Sequence, residues 1–157
     1  MQIPASSEKR LKGVHPDLVK VVRRAAEITG TDFVVTCGKR TLEEQRHLVS
    51  IGASQTMNSR HIPGGDGYAK AVDLAPLVKG KPAWDWPLVF KVAEAMRQAA
   101  RDCGVQVEWG GVWDRALNTL NGSVELESSR YVARRRAMKR KAFIDGPHFQ
   151  LPWASYP

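Results

Sequence analysis

The 157-residue chain has only two cysteines, Cys37 and Cys103, far apart and in no CxxC pair. No zinc knuckle or thioredoxin-type site is indicated, and both thiols read as small core hydrophobes rather than a disulfide or a nucleophile. No stretch approaches the roughly 18 apolar residues of a membrane span. The first residues, MQIPASSEKRLKGVHPDL, contain no apolar segment of the kind that forms a secretory leader, so synthesis in the cytoplasm is expected. Neither GxGxxG nor GxxxxGK[ST] occurs, which removes the dinucleotide-binding and P-loop classes. Repeats and linker-like stretches are also missing. Residues 1–157 therefore read as one domain with one core.

What the chain does have is positive charge. Its net charge is +8, from 24 Lys+Arg against 16 Asp+Glu. The excess is local: RYVARRRAMKRK, residues 130–141, contains seven basic residues and no acidic one. Such a run suits a polyanionic partner: nucleic acid, an anionic membrane face or a cell-wall polymer. Its plainest reading is a solvated helix face. Tyr131, Val132, Met138, Ala142 and Phe143 would give that helix a partial apolar side.

Periodicity predicts helices over 16–29, 41–52, 84–103 and 130–141. Pro16 suits a first turn, and Thr41 with Glu44 forms a capping-box pattern. Strands are predicted over 32–38, 69–76, 105–111 and 143–151, the last broken at Gly146-Pro147, with 112–128 irregular. This order predicts an α+β domain with a small antiparallel sheet and helices on one side.

Chemistry has few carriers here. Of the four histidines, His15 precedes a helix and His47 lies mid-helix, and both read as structural. His61 and His148 each sit beside Gly and Pro near an Asp: HIPGGDGYAKAVD ends in Asp73, and Asp145 precedes His148 in DGPHF. Two imidazoles and a carboxylate make a three-ligand zinc set with a fourth position open to water. A hydrolytic site of that type also needs a carboxylate base off the metal, for which Asp145 is the candidate. Spacing alone leaves this pattern weak. Trp109 and Trp113 flank Gly110-Gly111 and read as packing residues, with the groove wall as the alternative.

Taken in order, SRHIPGGDGYAKAVD and DGPHF resemble the S-x-H…A-x-D and D-x-x-H signatures of the M15 zinc peptidases. This family includes D-alanyl-D-alanine carboxypeptidases and phage endolysins that cut the L-alanyl-D-glutamate bond of peptidoglycan. GVHPDLVKVVRRA, GKRTLEEQ and VEWGGVWD resemble segments of the phage endopeptidase branch in the same order, so the likeness covers nearly all of 11–151. The resemblance implies a hedgehog-like peptidase fold with a zinc cleft on the sheet. It implies His61, Asp73 and His148 as zinc ligands, Asp145 as the catalytic carboxylate and Arg40 beside the scissile carbonyl. It places Gln45 and Ser59 along the substrate cleft. One departure is the spacing: twelve residues separate His61 from Asp73, against seven in the compact motif. The extra length leaves Asp66 as a rival ligand. Asp73 is preferred, because a strand holds a ligand more rigidly than a glycine-rich loop.

The expected activity is thus a zinc-dependent peptidoglycan hydrolase acting on stem peptides for host-cell lysis. The expected protein is a monomer, released from the host cytoplasm by a separate pore-former. Arg130–Lys141 is expected to contact the anionic envelope, and nucleic acid is not an expected partner. The alternatives are a D-alanyl-D-alanine carboxypeptidase of the same fold, and a non-enzymatic basic module that binds nucleic acid.

Overall fold

A computed structural model describes all 157 residues. Five helices occur: α1 (Ala5–Leu11), α2 (Pro16–Ile28), α3 (Leu42–Ser50), α4 (Trp86–Cys103) and α5 (Val124–Ala137). Six strands accompany them: β1 (Phe33–Cys37), β2 (Ala71–Val78), β3 (Lys81–Pro82), β4 (Glu108–Trp109), β5 (Val112–Ala116) and β6 (His148–Gln150). The fold is α+β, as expected. The sheet runs β1-β2-β6-β4-β5, with β3 paired to β2, and every pairing is antiparallel.

The core lies between one sheet face and the pair α2 and α4. Leu18, Val21, Val22 and Ala25 of α2 meet Val92, Ala93, Met96, Ala99 and Ala100 of α4. Beneath them lie Phe33, Val35, Val72, Leu74, Trp109 and Phe149 from the strands. Trp109 is fully buried and its indole N–H donates to the Gly146 carbonyl at 2.7 Å, so the packing reading holds for this tryptophan. Helix α3 departs from the expected one-sided layer. Its Gln45 and Leu48 are turned toward the opposite, cleft-bearing side.

Several boundaries differ from the periodicity reading. Residues 112–128 are not irregular: they hold β5, a 3-10 turn and the start of α5. Ser123 caps α5, its hydroxyl accepting from the Leu126 N–H at 3.2 Å, and Glu125 and Glu127 occupy the first turn. The basic segment is therefore helical only to Ala137, because VELESS carries no apolar period that would reveal the earlier start. The last strand shrinks to three residues, since the backbone before Pro147 turns aside, the Asp145 N–H donating to the Gly110 carbonyl at 2.8 Å. Helix α1 was not anticipated. It protects the edge strand β1: Ser7 Oγ accepts from the Val35 N–H at 2.9 Å. The β2–β3 hairpin also escaped notice. It turns on Lys79 and Gly80, both at positive φ.

Candidate metal centre and its cleft

The sheet register assembles a row of polar side chains on the face away from α2 and α4. Cys37 pairs with Asp73 across β1–β2, and Asp73 pairs with His148 across β2–β6. Laterally paired residues share a face, and neighbours along each strand take the other. Val72, Phe149 and Trp109 make the adjacent row and point into the core. His61 arrives from the loop between α3 and β2. That loop is anchored at both sides: the His61 N–H donates to Ser59 Oγ at 3.2 Å, the Arg40 N–H to the His61 carbonyl at 2.8 Å, and the Lys70 N–H to the Arg60 carbonyl at 2.8 Å.

Asp73 Oδ1 lies 3.3 Å from His61 Nε2 and 3.1 Å from His148 Nδ1. The far ring nitrogens are also engaged: His61 Nδ1 is 2.7 Å from the Gly38 carbonyl and His148 Nε2 is 2.8 Å from Gln150 Oε1. The Gly38 carbonyl can only accept, so the ring proton of His61 belongs on Nδ1 and the Nε2 lone pair faces Asp73. Nε2 and the carboxylate oxygen then need a positive centre between them, which a proton supplies in the metal-free protein and a metal ion would supply when bound. Zinc bonds of this type, about 2.0–2.1 Å long, give tetrahedral edges of about 3.3 Å between ligand atoms. Both contacts to Asp73 are close to such an edge, and the outer ring nitrogens are held as metal-binding histidines require.

A second grouping shares two of these residues. Ligand atoms of Cys37, His61 and Asp73 all lie within 4.8 Å of one another. Cys37 is thus part of the polar row and not the core hydrophobe its sequence context suggested. Its Sγ is 3.6 Å from His61 Nδ1 and accepts from Arg40 Nη2 at 3.1 Å. It therefore sits on the Gly38 side of the His61 ring, whereas His148 sits on the Asp73 side.

Protonation follows from the same contacts. Burial alone would lower the His61 pKa, but its hydrogen bonds to Asp73 and Cys37 outweigh burial and push it up to about 10. Burial would raise Asp73, yet His148 and His61 hold it well below the usual carboxylate range. Cys37 is opposed by burial but lowered by His61 and Arg40. Asp145 moves the other way: burial, helped by the charge of Asp73, raises its carboxyl above the ordinary value.

These groups open into a cleft of about 650 Å³, lined by Arg40, His61, Asp73, Asp145 and His148 among others. The structure thus brings together six of the seven residues singled out in the sequence. Ser59 also lines the cleft, and its hydroxyl supports the His61 backbone. Gln45 does not line it. It is fully buried behind Arg40, accepting from Arg40 Nη1 at 2.7 Å and donating to Ser54 Oγ and the Thr56 carbonyl. Asp66 lies apart, tied to Lys70 Nζ at 2.5 Å and to the Tyr68 N–H at 3.0 Å on an exposed loop.

Trp113, which the sequence offered as a groove wall only as the alternative to packing, lines the cleft, and two further neighbours, Cys37 and Gln150, escaped the sequence reading. Trp113 packs its ring 5.4 Å from that of His148, and its indole N–H is a buried donor with no partner. Cys37 was missed because nothing in sequence announced it. For Gln150 a signal existed, since strand alternation puts it on the same face as His148.

Comparison with known proteins agrees with this geometry. A family model described as phage L-alanyl-D-glutamate peptidase matches residues 1–152. The L-alanyl-D-glutamate peptidase of Escherichia phage T5 is 34% identical over 113 residues, 69% of this chain and 79% of that protein. The L-alanyl-D-glutamate peptidase of Listeria phage A118 is 27% identical over 131 residues, 83% of this chain but only 34% of the longer relative. The crystal structure of the L-Ala D-Glu endopeptidase ChiX of Serratia marcescens superposes with a TM-score of 0.73 at 38% identity, covering 100% of this chain and 94% of that one. On a match that spans nearly the whole sequence, the chain belongs to the phage L-alanyl-D-glutamate peptidase family.

Proposed function

We propose that the chain is a zinc-dependent endopeptidase that cuts the L-alanyl-D-glutamate bond of peptidoglycan stem peptides, with His61, Asp73 and His148 as metal ligands. The carrying observation is the pair of imidazole nitrogens that converge on one oxygen of Asp73, at 3.3 and 3.1 Å. Bound there, zinc would supply a Lewis acid and lower the pKa of a coordinated water to about 7. Cys37 is the less suited third ligand, because the His61 nitrogen nearest to it is already bonded to the Gly38 carbonyl.

The remaining chemistry falls to residues of the cleft. Asp145 accepts a proton from the attacking water as the new C–O bond forms, and returns it to the leaving amine as the C–N bond breaks. Burial favours its protonated form, which suits a group that must carry the proton between the two steps. Arg40 presents its guanidinium to the oxygen of the scissile carbonyl. Gln45 and Cys37 hold that guanidinium by one nitrogen each, so its position is set before substrate arrives. Ser59 acts as a support for His61 at the cleft wall.

The names of the relatives favour the endopeptidase over a D-alanyl-D-alanine carboxypeptidase. Mass spectrometry of peptidoglycan digested with and without a chelator tests both claims. Chelator-sensitive appearance of new L-alanine carboxyl and D-glutamate amino ends is expected. Release of terminal D-alanine alone would move the activity to a carboxypeptidase.

Envelope attraction belongs to the same proposal in a narrowed form. Arg130 and Arg134 are engaged with Glu127 and Asp114, and Arg135 with the Lys141 carbonyl. Exposed Arg136, Lys139, Arg140 and Lys141 remain, beside exposed Met138 and Phe143. Added salt should slow lysis of whole cell envelopes more than cleavage of a soluble stem peptide. No helix is long and apolar enough to cross a membrane; release to the wall by a separate pore-former is part of the same proposal.

A further inference from the structure

We propose that Glu108 and Gln150 form a positioning relay that fixes which nitrogen of His148 carries the ring proton and so keeps the Nδ1 lone pair free for the metal. The proposal rests on the metal reading given above. Glu108 and Gln150 are register partners across β4–β6, and Gln150 follows His148 by two residues on β6. All three side chains therefore stand on the cleft face of the sheet. Gln150 is itself 8% exposed, so its amide has little water to turn to.

The relay has three links. Gln150 Nε2 donates to Glu108 Oε1 at 3.1 Å. A carboxylate has no proton to give, so Glu108 forces the amide to present its NH₂ end. The amide oxygen is then turned toward His148 Nε2, 2.8 Å away, where it can only accept. The ring proton of His148 is thereby placed on Nε2, and Nδ1 keeps its lone pair toward Asp73 Oδ1. The reversed amide would set two acceptors against each other at Glu108. It would also offer a donor to Nε2 and drive the proton to Nδ1, the nitrogen that must bind metal. Glu108 touches neither metal nor substrate, yet its charge selects the tautomer two residues of contact away.

The test uses the full chain and reads zinc affinity by competition with a chromophoric chelator, alongside ¹⁵N spectra of the histidine rings. Glu108→Gln, nearly isosteric, removes the constraint on the amide, and Gln150→Leu removes the acceptor. Each is expected to weaken zinc binding by roughly 10- to 100-fold, the usual cost of losing an outer partner of a metal-binding histidine. The exchanged pair, Glu108→Gln with Gln150→Glu, restores both an acceptor for His148 and a donor–acceptor contact behind it. It is expected to return affinity to within about threefold of the parent. A role confined to sheet packing would not produce that rescue.

Full zinc affinity in folded Glu108→Gln and Gln150→Leu would overturn the relay while leaving the metal site intact. If Gln150→Leu fails to fold, Glu108→Gln carries the test alone. A parent protein that binds no zinc would overturn the metal reading instead. In that event the ring spectra still decide the relay, which requires Nε2 protonation in the parent and a mixed tautomer in Glu108→Gln.

Discussion

Replacing Asp145 with asparagine should separate catalysis from metal binding. The substitution keeps the size of the side chain and removes only its ability to carry a proton. It leaves untouched the backbone contacts that hold the segment, the Asp145 N–H to the Gly110 carbonyl at 2.8 Å and the His148 N–H to the Asp145 carbonyl at 3.1 Å. The ligand residues therefore stay in register, and zinc content should remain one per chain. General acid–base groups contribute about 10²–10⁴-fold. At about 1.4 kcal/mol per decade, kcat should fall by a factor equivalent to about 3–6 kcal/mol of barrier, with KM nearly unchanged. Stability should move in the opposite direction. Because burial raises the Asp145 pKa in the folded state, the folded protein holds this proton more tightly than the unfolded chain does. Its contribution to stability is then present below the unfolded pKa and is lost as pH rises through the folded one. At neutral pH the ionised carboxylate works against folding, so zinc-free Asp145→Asn should melt no lower than the parent. Steady-state kinetics on a soluble stem peptide, metal analysis and thermal melts of the zinc-free proteins read all three quantities. A variant with full zinc and a kcat within tenfold of the parent would refute the role given to Asp145.

Other substitutions test the neighbouring assignments. Cys37→Ala should leave zinc affinity within about threefold, whereas His148→Ala should weaken it by more than about 100-fold; the reverse order in chelator competition would make Cys37 the third ligand. Arg40→Lys keeps the charge but cannot reach Gln45 and Cys37 together, so kcat on the stem peptide should drop roughly 10- to 100-fold at unchanged metal content. In Gly110→Ala the new methyl would collide with the carbonyl oxygen of Asp145. Overpacking of this kind costs about 1–3 kcal/mol, and urea melts should show it together with a loss of activity beyond that of the unfolded fraction.

Much of the site was legible in sequence because the family motif carries it. Without that likeness, a histidine and an aspartate twelve residues apart remain a weak signal. The helices with a strong apolar face, α2 and α4, were read correctly to within two residues. Helix α5 was misplaced because its first turn is defined by a serine cap and two glutamates rather than by periodicity. The strands were legible as apolar runs but not in extent, since pairing is settled by partners distant in the chain. Cys37 shows the limit most clearly. Its neighbours Phe33 and Val35 are core residues, and the register shift between Val35 and Cys37 sets the thiol opposite Asp73. Gln45 shows the converse: a polar residue on a helix, fully buried because Arg40 and the loop at 54–56 use its whole amide.

The strand nearest the chain's end lies in the middle of the sheet, with β6 between β2 and β4. This placement governs when activity can begin. A chain emerging from the ribosome can form α2 and the β1–β2 pair early, and with them Cys37, His61 and Asp73. His148 and Asp145 follow much later in the chain, and without β6 the halves of the sheet have no common neighbour. On the proposed site, a chain that has not yet formed β6 lacks one histidine ligand and the proton carrier, and is expected to be hydrolytically silent. Activity is then expected only after the slow step of fitting a central strand between two that were made before it.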